Sequence, residues 1–391
     1  MDEKVTAGFV GFGEVNSPRD LIESKCEQAV RIVESLGITV KKTAPVADDP
    51  EGKQSSRAIT ELKKFDFDFL IACVAGWIPS WAVVQTLVPF KERPVLLWGT
   101  SGDNLQGRLV TTAAQAGTTA LRKVLKEMKF RFKFVVNRLD LPAPAGEILS
   151  FARACRAVKG LKGATIGLAG YRDMRLYGTG YDPVSLKEKF GLEVEHFDLL
   201  ELYQLMDKVT EKQVKPWLEY LEKNWVFTKK PQQKTIKQTI KLFLAFKRKV
   251  EERNYAGLSY SDVDGIKKLM GFAPAGALTL LHDTMTLCTI PENDTPGLLT
   301  QLAAWHLTGQ LPAYLEFYEF TEKGALMGVP DYVPGAVVEG KIKVMPTSFG
   351  QFGEGLLNVS RLKTGRVTLV RLDRTENDYS LHLITGTAKT A

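Results

Sequence analysis

Short apolar runs alternate with amphipathic stretches along roughly the first 140 residues. Residues 7–12 (AGFVGF) read as a buried strand, and Ser17 followed by Pro18 then predicts a helix start. A hydroxyl N-cap with proline at the first helical position satisfies one orphan N–H and omits another. Ile22, Cys26, Ala29, Val33 and Leu36 recur on one helical face, and Gly37 provides the stop. Residues 38–43, 69–74, 94–98 and 132–137 read as further strands, each separated by a helical or loop stretch. This alternation of periods predicts βαβ units around an open, doubly wound parallel sheet, with functional groups at the carboxyl ends of the strands.

A second series begins near residue 160. Residues 164–169 (ATIGLA) read as a buried strand, Asp182 and Pro183 cap a helix ending at Gly191, and 192–197 form a strand. Helical stretches follow through 217–225 and a basic segment, then a strand at 255–260 and a helix around 262–269. After about residue 309 glycine and proline become frequent, and the runs 366–372 and 379–384 alternate as antiparallel strands do. The pattern thus predicts two doubly wound parallel-sheet domains, at 1–157 and 158–309, followed by a β-rich domain at 310–391. The 391-residue length accommodates two or three domains of ordinary size.

Composition adds exclusions. At 44% hydrophobic and 25% charged residues the chain is globular rather than disordered or fibrous. No stretch approaches the about 18 apolar residues that a membrane-spanning helix needs. The first residues (MDEKVTAGFV) lack a basic and apolar leader, so a cytoplasmic protein is expected. Cysteines 26, 73, 155 and 288 are widely spaced in apolar surroundings, as buried free thiols are. The net charge of +7 is local, because nine cations and no acid lie between Lys223 and Lys249. Ile236, Ile240, Phe243 and Val250 recur there at helical spacing, so the lysines form a charged outer face or, alternatively, a nucleic-acid site. Without a recognition motif, the outer face is the expectation, and neither nucleic acid nor membrane is an expected partner.

Few motifs carry chemistry. Gly11 and Gly13 begin a G-x-G-x-x-G pattern that fails at Asn16, leaving a tight strand-to-helix turn as the better account of them. His196, His282, His306 and His382 are the only histidines, and none pairs with another or with cysteine at zinc spacing. The segment 288–320 (CTIPENDTPGLLTQLAAWHLTGQLPAYLEFYEF) is more informative. Asp294 or Thr295 can cap a helix with Pro296 in its first turn, and a helix of about 14 residues is roughly 21 Å long. A strand running back along it would return Glu316 towards Glu292. By spacing alone the two are either a cap-region acid and an edge-strand acid, or a pair sharing a proton or a hard divalent cation.

This stretch resembles the active-site segment of the L-fucose isomerase family, which is more distantly related to L-arabinose isomerase. There a Glu-Asn-Asp run leads into a helix ending in Leu-Thr-Gly, with an acidic ligand a few residues on. Glu292, Asn293 and Asp294, then Leu307, Thr308 and Gly309, then Glu316 fit without a gap, although the family has aspartate at the last position. Residues 166–174 (IGLAGYRDM) and 194–202 resemble the start of the family's second domain, 75–77 (AGW) a first-domain strand end, and 365–372 (GRVTLVRL) a strand of its C-terminal barrel.

The resemblance implies an aldose–ketose isomerase passing through an ene-diol, with a barrel-like C-terminal domain. Glu292 and Glu316 would bind Mn²⁺ or another divalent cation and act as acid and base; Met174 would contact the sugar. Trp77 would enter a neighbouring subunit's pocket in a trimer or hexamer. The family's third metal ligand is a histidine near its C-terminus, which no histidine here matches. The expectation is that the protein continues past Ala391 or that this branch lost the ligand. The competing expectation is a non-catalytic sugar-binding or sensing protein on the same scaffold.

Overall fold

The computed structural model describes residues 5–328, 333–348, 352–376 and 378–389. The protein is a multi-domain α/β chain with several parallel sheets, and it divides into two compact units, Met1–Lys159 and Gly160–Ala391.

In the first unit β1 (Thr6–Phe12), β2 (Thr39–Lys42), β3 (Phe69–Val74) and β4 (Val95–Gly99) are joined by α1 (Arg19–Ser35), α2 (Lys53–Leu62) and α3 (Ser80–Leu87). A small hairpin of β5 (Asp103–Leu105) and β6 (Arg108–Val110) precedes α4 (Ala114–Glu127), β7 (Phe132–Val136) and α5 (Ala145–Leu161). The sheet runs in the order β2-β1-β3-β4-β7, with every pairing parallel. Alternation along each strand feeds two cores. Val10, Leu70, Ala72 and Leu97 pack with α2, α3 and α4 on one face. Phe9, Ile71, Cys73 and Trp98 pack with α1 and α5 on the other. A strand buried on both sides carries a continuous apolar run, which is why 69–74 is legible as a central strand. Pro18 lies just outside α1 with extended ψ and no side chain caps the helix, so it begins one residue later than the Ser17 cap predicts.

In the second unit β8 (Thr165–Ala169), α6 (Pro183–Phe190), β9 (Glu193–Phe197), α7 (Leu199–Asp207) and α8 (Glu211–Asn224) lead to a short β10 (Trp225–Phe227). The basic helix α9 (Gln233–Arg253) follows, then β11 (Gly257–Tyr260), α10 (Ala275–Met285), β12 (Cys288–Pro291) and α11 (Thr295–Thr308). The parallel order β12-β11-β8-β9 places a topological switch between β11 and β8. Asp182 caps α6 as its spacing predicts, by accepting the Ser185 N–H at 2.7 Å. Residues 262–270 form a π-helical segment rather than an α-helix, since Ile266 N–H reaches back five residues to Ser261 C=O.

The rest is β-rich: a ribbon of β13 (Glu316–Thr321) with β14 (Gly324–Gly328), then β15 (Ile342–Ser348) and β16 (Glu354–Asn358) beside β10, and a ribbon of β17 (Gly365–Arg374) with β18 (Tyr379–Ala388). The expected antiparallel strands 366–372 and 379–384 are the two halves of that last ribbon, paired over ten residues.

The basic segment is a helix face with its own counter-ions. Lys237 pairs with Glu211 at 2.9 Å, Arg248 with Glu252 at 2.7 Å, and Lys247 with Glu251. Lys249 departs from the expected outer face, being buried with its ammonium 2.8 Å from Glu201 and 4.8 Å from the Phe197 ring centre. All four cysteines are free and buried, as their surroundings predict. No helix of the described residues is long and apolar enough to cross a membrane.

Asp283 of α10 supplies a test of the packing beneath α10. Its Oδ1 accepts the Gly335 N–H at 2.8 Å, Oδ2 is buried without a partner among the described residues, and burial pushes the carboxyl up to about 6. A carboxyl raised above its ordinary 3.8 favours the protonated fold, so its contribution is complete below that value and is lost as pH rises through about 6. Asp283→Asn keeps the acceptor for Gly335 and removes the charge. It should raise stability by about 1–2 kcal/mol at pH 8 and leave it unchanged at pH 4, read from denaturant midpoints.

Candidate active site

The loops that follow β8, β11 and β12 meet at the carboxyl ends of the second sheet. Asp173, four residues beyond β8 and 0% exposed, accepts the N–H groups of Asp262, Val263 and Asp264 at 2.8–3.1 Å and the Ser261 hydroxyl at 2.9 Å. Three amides and a hydroxyl compensate a carboxylate that would otherwise be costly to bury. The loop it anchors turns through two left-handed residues, Met174 and Arg175. Met174, predicted to touch sugar, is 37% exposed there. Deeper in the same corner Asp262 and Lys267 form a buried ion pair at 2.6 Å.

Glu292 and Asn293, directly after β12, form a second left-handed pair, with φ of +67° and +52°. The Asn293 carboxamide donates to Ala169 C=O at 3.0 Å and Tyr171 C=O at 2.6 Å, and its N–H donates to Tyr260 C=O at 3.1 Å. The turn is thereby tied to the ends of β8 and β11.

Asp294 then caps α11 by accepting the Gly297 N–H at 3.0 Å, with Pro296 in the first turn as its spacing predicts. The same carboxylate takes a bidentate pair of bonds from Arg371 of β17, at 2.5 and 3.0 Å. Gly297 is required here, because a Cβ would lie 2.4 Å from Asp294 Oδ2 and 2.9 Å from Arg371 Nη1. Nearby, Leu372 N–H donates to Thr300 Oγ1 at 2.9 Å, so the ribbon hangs on α11 at two adjacent residues.

Between α11 and the two ribbons lies a pocket of about 300 Å³. Thr300 and Gln301 of α11, Tyr314, Arg371 and His382 give it polar groups, and Ile290, Leu315, Phe317, Met327 and Ile384 are among its apolar walls. Arg371 and His382 face each other across the β17–β18 ladder. Tyr314 links the pocket to the predicted acids. Burial first, and then the charges of Asp294, Glu292 and Glu316, push its phenol well above the ordinary range, so it stays protonated at any working pH.

The sequence-predicted residues therefore divide. Glu292 and Glu316, 24 positions apart in the chain, both act electrostatically on one phenol. Met174 lies on the loop whose Tyr171 carbonyl holds the Glu292 turn. Trp77 belongs to the first unit, beyond β3, and is 41% exposed. Of the histidines, His282 is buried against Thr289 and held near 3 by burial, His196 bonds Tyr181 and Gly170, and the His306 ring packs over Gly160.

Sequence reasoning missed Tyr314, Arg371 and Asp173. Tyr314 had a usable signal, because it stands two residues before Glu316 and an extended run puts both on one face. Arg371 had none, since its partner is 77 residues away.

Among the described residues, no group of three or more His, Cys, Asp or Glu side chains is placed to hold a metal ion. Asp294, the nearest further acid, is committed to Arg371 and to the Gly297 amide. The described residues thus do not fit the three-ligand centre that the family resemblance implies, and no chemical step is derived through a metal.

Comparison with known proteins bears on this corner directly. The family model for the L-arabinose isomerase central domain matches residues 172–279, from the Asp173 loop into the first turns of α10. A sulfoquinovose isomerase of Alkalicoccus urumqiensis is 24% identical over 311 residues, covering 78% of this chain and 69% of that protein. A sulfoquinovose isomerase of Priestia aryabhattai is 22% identical over 317 residues, covering 78% and 68%. Among solved structures, a periplasmic sugar-binding protein of an ABC transporter from Legionella pneumophila aligns with 79% of this chain and 97% of that one. It does so at 12% identity and a TM-score of 0.23, which says nothing of the fold. The chain is thus similar in its central part to the L-arabinose isomerase central domain, and over most of its length to sulfoquinovose isomerases. The similarity does not single out the L-fucose isomerase family.

The Asp294–Arg371 pair is separable from the helix cap. Asp294→Asn retains a capping oxygen but loses the charge, and should cost about 2 kcal/mol. Arg371→Met should cost a similar amount, and the double variant should cost clearly less than the sum, read as a double-mutant cycle of unfolding free energies.

Proposed function

We propose that the chain is an aldose–ketose isomerase that moves a proton between C1 and C2 of an open-chain sugar through an ene-diol. The observation that supports this reading is a pocket of about 300 Å³ lined by Tyr314, Arg371 and His382, whose buried phenol also feels the charges of Glu292 and Glu316. In the proposed reaction one carboxylate removes the proton from the carbon next to the carbonyl, and the ene-diol forms as the carbonyl oxygen gains a proton. The same carboxylate returns its proton to the neighbouring carbon, while the second carries the hydroxyl proton from one oxygen to the other. Tyr314, held neutral, donates a hydrogen bond to the oxygen on which charge develops. Arg371, fixed by Asp294, keeps the ribbon wall in place.

Several narrower expectations belong to the same proposal. They are the three domains 1–157, 158–309 and 310–391, the last barrel-like, and substrate contact by Met174. They include entry of Trp77 into a neighbouring subunit of a trimer or hexamer, and a cytoplasmic site of action. Dependence on Mn²⁺ or another divalent cation is supported by the family relation alone. The relatives named as sulfoquinovose isomerases put that sugar on the test panel with L-arabinose and L-fucose.

The test is isomerisation of that panel in deuterated water, with added Mn²⁺ and with chelator, by wild type and Glu292→Gln. Wild type should interconvert at least one sugar, with solvent deuterium entering at the carbon that exchanges its proton. Glu292→Gln should lose at least about 10²-fold in kcat. Turnover that survives the substitution overturns the assignment. A second reading, sugar binding without catalysis, is supported by the lack of a third metal ligand among the described residues. It predicts calorimetric sugar binding that is indifferent to chelator and accompanied by no isomerisation.

A further inference from the structure

We infer that Asn293 is the positioning residue for Glu292, fixing the carboxylate by clamping its turn across three adjacent strands; this rests on the isomerase reading of Glu292. Two successive non-glycine residues in the left-handed region are unfavourable by about 1–2 kcal/mol each, less for asparagine. Such a turn persists only where its surroundings over-determine it. Here they do so through one side chain. Asn293 is 4% exposed, and both of its carboxamide hydrogens are used, on Ala169 C=O at the end of β8 and on Tyr171 C=O just beyond. Its main-chain N–H is used on Tyr260 C=O at the end of β11. The amide orientation is forced, since its oxygen in place of the nitrogen would face two carbonyl oxygens. The turn leaving β12 is thus bonded to β11 and, across it, to β8. Glu292 is the residue between the last strand position, Pro291, and this clamp, so its backbone direction follows from both. Ala169 C=O also accepts the Ser261 N–H at 2.9 Å, which brings the Asp173 corner into the same framework.

No other side chain type supplies this combination. Aspartate has the same shape and a similar tolerance of positive φ, but would set carboxylate oxygens against two carbonyls. Glycine accepts the φ freely and lacks the amide, so Asn293→Gly separates the bonds from the backbone preference.

The experiment uses the full chain with Asn293→Gly and Asn293→Asp, each checked for native circular dichroism. Crystal structures give the Glu292 turn, and kinetics give kcat, KM and the pH profile. The expected result for Asn293→Gly is a Glu292 backbone that leaves its left-handed conformation. With it should come a kcat lower by about 10²-fold, a KM within a few-fold, and a displaced acid limb of the kcat profile. Asn293→Asp should fall at least as far. An unchanged Glu292 turn in folded Asn293→Gly overturns the inference, as does a wild-type kcat and pH profile in both variants. Should Glu292→Gln retain turnover, the isomerase reading of Glu292 falls, and the crystallographic turn alone decides whether Asn293 positions it.

Discussion

The carboxylate of Asp294 holds the candidate site together by serving two partners at once. It caps α11 through the Gly297 N–H and receives the fork of Arg371 from a strand 77 residues further on. The helix start carries partial positive charge, so the acid is favoured there before Arg371 arrives. Arg371, whose guanidinium is charged at every working pH, adds a bond with planar geometry that lysine would not reproduce. The ribbon β17–β18 becomes one wall of the pocket because this pair, with Leu372 on Thr300, lays it along α11. Tyr314 lines the same pocket, and the charges of Glu292 and Glu316 act on its phenol.

The same design recurs at the neighbouring strand ends. Asp173 and Asn293 are buried polar side chains that each make two or more bonds to main-chain groups of adjacent loops. Each adjoins a left-handed pair carrying a residue predicted to be functional, Met174 in one case and Glu292 in the other. Local strain is offset by several hydrogen bonds that exist only when β8, β11 and β12 are assembled. Such corners are rigid on a scaffold of parallel strands, which suits chemistry that needs groups held to fractions of an ångström.

Similarity to known proteins falls on part of this arrangement. The L-arabinose isomerase central-domain match, 172–279, contains Asp173, Met174, Asp262 and Lys267, whereas Glu292, Asn293, Asp294, Tyr314, Glu316 and Arg371 lie beyond it. Of the strands under the site only β11 falls inside that match, with β8 before it and β12 after it. The chemistry proposed for the site rests on the acids, the phenol and the pocket.

The sequence by itself determined the elements that depend on local physics. Period alternation marked the parallel sheets of both units. The Asp182–Pro183 cap and the Asp294 and Pro296 start of α11 were legible because a cap is satisfied within three residues. The alternating runs 366–372 and 379–384 were legible as antiparallel strands because a half-exposed strand carries a period of two, and their mutual pairing is a finding of the structure. Tertiary structure alone decided what rests on distant partners. It turned 262–270 into a π-helical segment over the Asp173 carboxylate, and buried Lys249 against Glu201 although the preceding Arg248 is exposed. It brought Arg371 to Asp294, and put the Tyr314 phenol under the influence of the Glu292 and Glu316 charges. A hydrogen bond or a Coulomb interaction acts over a few ångströms of space and carries no record of the separation in sequence, so residue type and spacing could name the acids but not the company they keep.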